Sequence, residues 1–175
     1  MFEKLWLQPN LVLGGIVTDL TPEILQVNQI EGLILDVDET LVPIRETLIT
    51  PDLARWAREM KQIVSIWLVS NNLSHSRIGT IAEALDLPYF LGAKKPSRKK
   101  LRRAAEEMNL PFEKVAMVGD RLFTDVVAGN RLGMFTILVE PMVDPSIEER
   151  SYPIRNFEVW FSQKLGVSLG QMIEK

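Results

Sequence analysis

Five short apolar runs, each followed by a loop or a stretch of helical period, limit what this chain can become. They are GLILDV at residues 32–37, IVSIWLVS at 63–70, YFLGA at 89–93, KVAMVGD at 114–120 and MFTILVE at 134–140. A strand apolar on both sides must be covered on both sides, and helical crossovers supply that cover when the strands run parallel. The pattern predicts an α/β fold: a three-layer sandwich around a parallel sheet, a single domain over residues 1–175 with its motif-bearing core at about 30–140.

The connecting segments agree. Residues 50–62 (TPDLARWAREMKQ) open with Thr50 as a cap and Pro51 in the first helical position, then place Leu53, Trp56, Ala57 and Met60 on one face. Helices are also expected over residues 74–87, stopped by Pro88, over 97–110, between Pro96 and Pro111, and near 123–132. A helical tail over 152–175 carries Ile154, Phe157, Trp160, Phe161 and Leu165 at amphipathic spacing, suited to docking on the sheet, on a partner or on a membrane surface.

Composition narrows the class. With 46% hydrophobic and 25% charged residues, the 175-residue chain should fold around a substantial core. The absence of cysteine excludes disulfides and thiolate metal sites. A net charge of −3 is not that of a general nucleic-acid binder, so no nucleic acid is expected as a partner. No apolar run approaches the roughly 18–20 residues of a membrane span. The opening residues, with Glu3, Pro9 and Asp19, do not resemble a secretion signal, so a cytoplasmic protein is expected.

The polar residues at the strand ends carry the functional information. In open α/β sheets, ligands bind outside the carboxyl ends of the strands, where strand order reverses. Asp36 and Asp38 end the first run, Ser70 the second and Asp120 the fourth; Lys95 follows the third, and Asp125 lies five residues beyond Asp120. Clustered acids repel and raise one another's pKa unless a cation or a reaction uses them.

Phosphoryl transfer fits this set. A carboxylate can attack phosphorus to give an acyl phosphate labile to water, replacing one hard displacement by two easier ones. Asp36 is the candidate nucleophile; Asp38, at most about 7 Å further along an extended chain, can protonate the leaving oxygen and later accept a proton from water. Mg2+ would relieve the repulsion, while Lys95 and the Ser70 hydroxyl hold the phosphate. Thr40 reads as a supporting hydroxyl. Each element alone has a plainer reading: DVDET as a turn or cap cluster, Ser70 with Asn71 and Asn72 as a helix cap, Asp125 as an acid suited to a helix N-terminus. Their order and strand-end placement are the specific signal. Residues 12–17 (VLGGIV) lack dinucleotide-loop spacing, no GxxxxGK[ST] occurs, and the third run ends in LGAKKP without the acid of a response-regulator receiver.

DVDET (36–40), VSNN (69–72), KKP (94–96) and GDRLFTD (119–125) resemble the four motifs of the haloacid dehalogenase-like (HAD) hydrolases. The resemblance implies Asp36 as nucleophile, Asp38 as acid/base, and Ser70, Asn71 and Lys95 as phosphate-binding residues. It also implies Mg2+ on Asp36, the Asp38 carbonyl and Asp120, with Asp125 supporting the metal or its waters. Numbering the five runs in chain order, it implies a Rossmann-like core of strand order 5-4-1-2-3. Neither inter-motif segment has room for the cap domain many members carry, so an open, capless site is expected.

More narrowly, residues 5–25 and 119–141 look like the YqeG group, which is similar to phosphatidylglycerophosphate phosphatases. That implies release of the terminal phosphate from phosphatidylglycerophosphate; the alternatives are a phosphatase of a soluble metabolite, for which an oligomer could close the site, and a non-catalytic scaffold. Glu39 departs from the asparagine of many members and bears on fine specificity. Residues 94–103 (KKPSRKKLRR), seven of ten basic, are a candidate for peripheral contact with an anionic membrane, as are the apolar termini. His75, the one histidine, reads as cap-region polarity rather than as a catalyst.

Overall fold

The computed structural model describes residues 6–142. Six parallel strands form its sheet: β1 (Leu11–Val12), β2 (Gly32–Leu35), β3 (Ser65–Val69), β4 (Tyr89–Phe90), β5 (Val115–Gly119) and β6 (Phe135–Leu138), in the order β1-β6-β5-β2-β3-β4. The five expected strands take their expected order. The correction is β1, a two-residue sixth strand on the β6 edge, with Leu11 opposite Ile137. Asn10 secures it, because its Oδ1 accepts the Thr136 N–H at 2.8 Å and its own N–H donates to Thr136 Oγ1 at 3.1 Å.

The helices are α1 (Pro22–Val27), α2 (Pro51–Met60), α3 (His75–Leu85), α4 (Lys99–Glu107) and α5 (Val127–Asn130). Thr50 caps α2 by accepting the Leu53 N–H at 3.2 Å, and Ser74 caps α3 by accepting that of Arg77 at 3.3 Å. Asp86, in the left-handed region at φ 51°, ends α3. The helix expected near 123–132 begins instead as a wide π turn, Leu122–Val126, which runs into α5. The tail over 152–175 lies outside the described residues.

Alternation along the strands builds two cores. Leu33 and Leu35 of β2 face a cluster with Leu53 and Trp56 of α2 and Ile78 and Ile81 of α3. Ile34 faces the opposite cluster, with Leu101, Ala104 and Ala105 of α4 and Ala128 of α5. Each fully buried aliphatic side chain contributes about 1.5–3 kcal/mol of transfer free energy, and all four residues of β2 are buried.

β2 pairs with β3 on one side and β5 on the other, which makes the β2/β5 boundary the reversal point of the sheet. Only a loop and α2 join β2 to β3, and only a loop and α3 join β3 to β4, so the described residues hold no inserted cap.

Candidate active site

Asp36 follows β2 directly, and its N–H donates to Val118 O at 2.9 Å, carrying the β2–β5 pairing up to the acid itself. Asp120 follows β5 across the reversal point. Asp36, Thr40, Ser70, Lys95, Asp120 and Asp125 are all buried at this edge. A cleft of about 200 Å3 opens over them, lined by Asp36, Asp38, Asn71, Lys95 and Asp120 together with Glu39, Ile44, Arg121 and Thr124. Depressions of about 380 and 420 Å3 lie elsewhere and contain none of these acids.

Lys95 is the hub. Its Nζ donates to Asp36 Oδ1 at 2.6 Å and to Val69 O at 2.9 Å. Asp125 Oδ1 is 2.7 Å from the same nitrogen, a buried ion pair. Asp125 Oδ2 accepts the Arg121 N–H at 3.3 Å. Gly119 makes room for this carboxylate, since a Cβ there would sit 2.3 Å from Asp125 Oδ2. The Thr40 hydroxyl lies 3.4 Å from Asp36 Oδ2 and 3.2 Å from Asp120 Oδ1; with one proton, it donates to one at a time and tethers the loop beneath both.

Asn71 has a job that its motif position did not reveal. Its Oδ1 accepts the Lys95 N–H at 2.7 Å and its Nδ2 donates to Lys95 O at 3.3 Å, so the amide clamps the main chain that carries the lysine. Ser70 Oγ accepts the Asn72 N–H at 2.9 Å and donates to Asp38 Oδ2 at 3.3 Å, which is also 3.4 Å from Asn72 Nδ2. Asp38 is thus held apart from the Asp36–Asp120–Asp125 group. Its other oxygen pairs with Arg77 Nη1, while Arg77 also donates to Glu46 O at 3.1 Å and Pro43 O at 3.0 Å.

Sequence reasoning missed Arg77 and Asn72. Arg77 left one signal: a cation in the first turn of α3 opposes the helix dipole, so it needs a local anion. Glu39 sits at φ 63°, a conformation costly for a side chain of this kind, and its N–H donates to Val42 O at 2.8 Å. His75 is exposed and lies 3.2 Å from the Tyr89 hydroxyl. The basic run divides: Lys95 is buried in the site, Lys100 and Arg103 lie over the Phe90 ring at 5.3 and 4.8 Å, and Arg98 donates to Arg131 O.

Burial pushes the Asp36 carboxyl up to about 7; Lys95 pulls it down and Asp125 pushes it further up. Burial likewise raises Asp120 to about 8, with Asp125, Asp36 and Glu39 adding to the rise. Burial also works against the Lys95 ammonium, but Asp125 and Asp36 outweigh it and hold its pKa above the ordinary lysine value. One ammonium among three carboxylates leaves negative charge that a cation would compensate. Oxygens of Asp36, Asp120 and Asp125 lie within 4.8 Å of one another, and an all-oxygen, carboxylate-rich set suits a hard divalent ion rather than a soft one. The residues present fit such an ion.

The HAD-hydrolase-like family profile matches residues 92–156. The chain is 38% identical to the probable phosphatase YqeG of Bacillus subtilis over 143 residues, 81% of each protein. It is 30% identical over 129 residues to a chloroplastic/mitochondrial phosphatidylglycerophosphate phosphatase of Arabidopsis thaliana; the match spans 69% of this chain and 37% of that longer protein. Among solved structures, the 3-deoxy-D-manno-octulosonate 8-phosphate phosphatase of Yersinia pestis shares the fold, with a TM-score of 0.53 at 13% identity, covering 84% of this chain and 90% of that one. Sequence likeness over most of its length, a matching fold and the four motifs gathered at one sheet edge lead to one assignment: the chain belongs to the HAD-like hydrolases, in the YqeG group, and is a HAD-type phosphatase.

Proposed function

We propose that the chain is a Mg2+-dependent phosphomonoesterase that works through an aspartyl phosphate on Asp36 and acts on phosphatidylglycerophosphate. The observation that carries the mechanism is the separation of the acids: Asp36 is 2.6 Å from Lys95 Nζ inside the buried cluster, while Asp38 is held outside it by Ser70, Asn72 and Arg77.

In this reading an Asp36 carboxylate oxygen forms a bond to phosphorus as the bond to the ester oxygen breaks, and Asp38 delivers a proton to that leaving oxygen. Asp38 then takes a proton from the water that opens the acyl phosphate, returning Asp36 as a carboxylate and releasing phosphate. Lys95 balances charge on the phosphoryl oxygens, with Asn71 and Asp125 keeping it in place. Asp36, the Asp38 carbonyl and Asp120 would hold Mg2+, which supplies electrostatic stabilisation of the phosphoryl group when bound. Ser70, whose hydroxyl bonds to Asp38, would bind phosphate once that contact is exchanged.

The named activity of the Arabidopsis relative and a cleft with no inserted cap among the described residues both favour a lipid-borne phosphate. A panel of phosphatidylglycerophosphate and soluble sugar phosphates tests the choice. The lipid should be turned over with the highest kcat/KM; preference for the soluble esters would reject it.

A further inference from the structure

The mouth of the cleft has an apolar lip that the chemistry does not use. Ile44, Leu48 and Leu73, in the segments that follow β2 and β3, are 54%, 80% and 77% exposed. Ile44 lines the cleft itself. Leu73 lies between Asn72, which reaches Asp38, and Ser74, the cap of α3. Arg77 holds the 43–46 loop to α3 through Pro43 O and Glu46 O, so the loop that displays Ile44 and leads to Leu48 is fastened beside Leu73. In a parallel sheet crossed by returning helices, segments after β2, β3, β4 and β5 all emerge at one edge. The exposed cations of that edge include Arg45, Lys94, Arg98 and Lys99, with Glu46, Asp52 and Glu140 as exposed acids, Asp52 being paired with Arg55.

We propose that this lip, Ile44, Leu48 and Leu73 flanked by Arg45 and Lys94, seats the open site on an anionic lipid bilayer, with the aliphatic side chains in the interface and the cations at headgroup level. Aliphatic tips ringed by cations suit such a surface better than they suit water or a neutral partner. Among the described residues no helix is long and apolar enough to cross a membrane, so contact through this edge would be peripheral. The proposal deepens the lipid-phosphate reading and rests on it for its purpose, since docking here would bring headgroups to the cleft.

The natural chain contains no cysteine, which makes single-site labelling clean. Full-length Leu48→Cys, Leu73→Cys and, as a control, Ile63→Cys would each carry an environment-sensitive fluorophore. Ile63 is 53% exposed and precedes β3 at the opposite edge. Vesicles of phosphatidylglycerol and phosphatidylcholine should blue-shift the labels at 48 and 73 but not at 63, and pure phosphatidylcholine should do so far less. Leu48→Ser/Leu73→Ser should sediment with the mixed vesicles about tenfold less while keeping wild-type turnover of a soluble aryl phosphate. Silence at 48 and 73, an equal response at 63, or a concentration-dependent shift without vesicles, which would indicate a second copy, overturns the proposal. Labels that respond while vesicle-borne phosphatidylglycerophosphate is not hydrolysed would support the docking and reject the substrate.

Discussion

Arg77 forms an ion pair with Asp38 across 39 residues of sequence, joining the first turn of α3 to the loop after β2. The same guanidinium holds the carbonyls of Pro43 and Glu46, so one side chain sets both the proposed proton donor and the lip of the cleft.

Arg77→Met should therefore lower kcat by roughly 10- to 100-fold, at or below the lower end of what a general acid supplies. The loss should shrink for an aryl phosphate, whose leaving group needs little protonation, and Arg77→Lys should restore part of it. Steady-state kinetics on alkyl and aryl esters check this. A uniform loss on both would show that Arg77 acts only on folding or binding.

Gly119→Ala should misplace Asp125, because the new methyl group would meet Asp125 Oδ2 at 2.3 Å and its Cγ at 2.4 Å. The expected cost is about 1–3 kcal/mol of stability, as for other overpacked buried sites. Activity should fall more than stability accounts for, since Asp125 helps fix Lys95. Denaturant melts beside kinetics on the folded fraction separate the two effects.

Much of this arrangement is legible in the sequence. The apolar runs give five strands and the strand-end acids give the edge that carries the site, because both are local patterns; the strand order follows from the family resemblance. β1 was hidden, since two residues, Leu11 and Val12, are too short to show a strand period and their place depends on Thr136 far along the chain. The Arg77–Asp38 pair and the Asn71 clamp on Lys95 were hidden for the same reason: hydrogen bonds between distant loops leave no periodic trace.

The raised carboxyls give a pH dependence with a definite sign. Asp36 and Asp120 move from ordinary values of 3.8 to about 7 and about 8, so between those limits the unfolded chain gives up protons that the native state keeps. Without metal, their contribution should make stability fall as pH rises through that window and level off above about 8. Mg2+, which competes with those protons, should raise Tm more above about 8 than below about 7. Asp120→Asn should increase metal-free Tm at the alkaline end and abolish the Mg2+ effect. Thermal melts with Mg2+ or a chelator test both statements.

Glu39→Asn should stabilise the protein by about 1 kcal/mol, because asparagine tolerates the left-handed region better than glutamate does. It also removes a charge that helps raise Asp120, at φ 63° beside the cleft. Turnover should persist, and a Tm unchanged or lower than wild type would show that Glu39 makes compensating contacts.

The central claim is that Asp36 carries the phosphoryl group. Acid quenching during steady-state turnover, followed by mass spectrometry of the peptides, reads it directly. The expected result is a phosphoryl increment on Asp36 that is absent in Asp36→Asn, a variant that releases no phosphate above background. An increment on another residue, or continued turnover by Asp36→Asn, would contradict the mechanism.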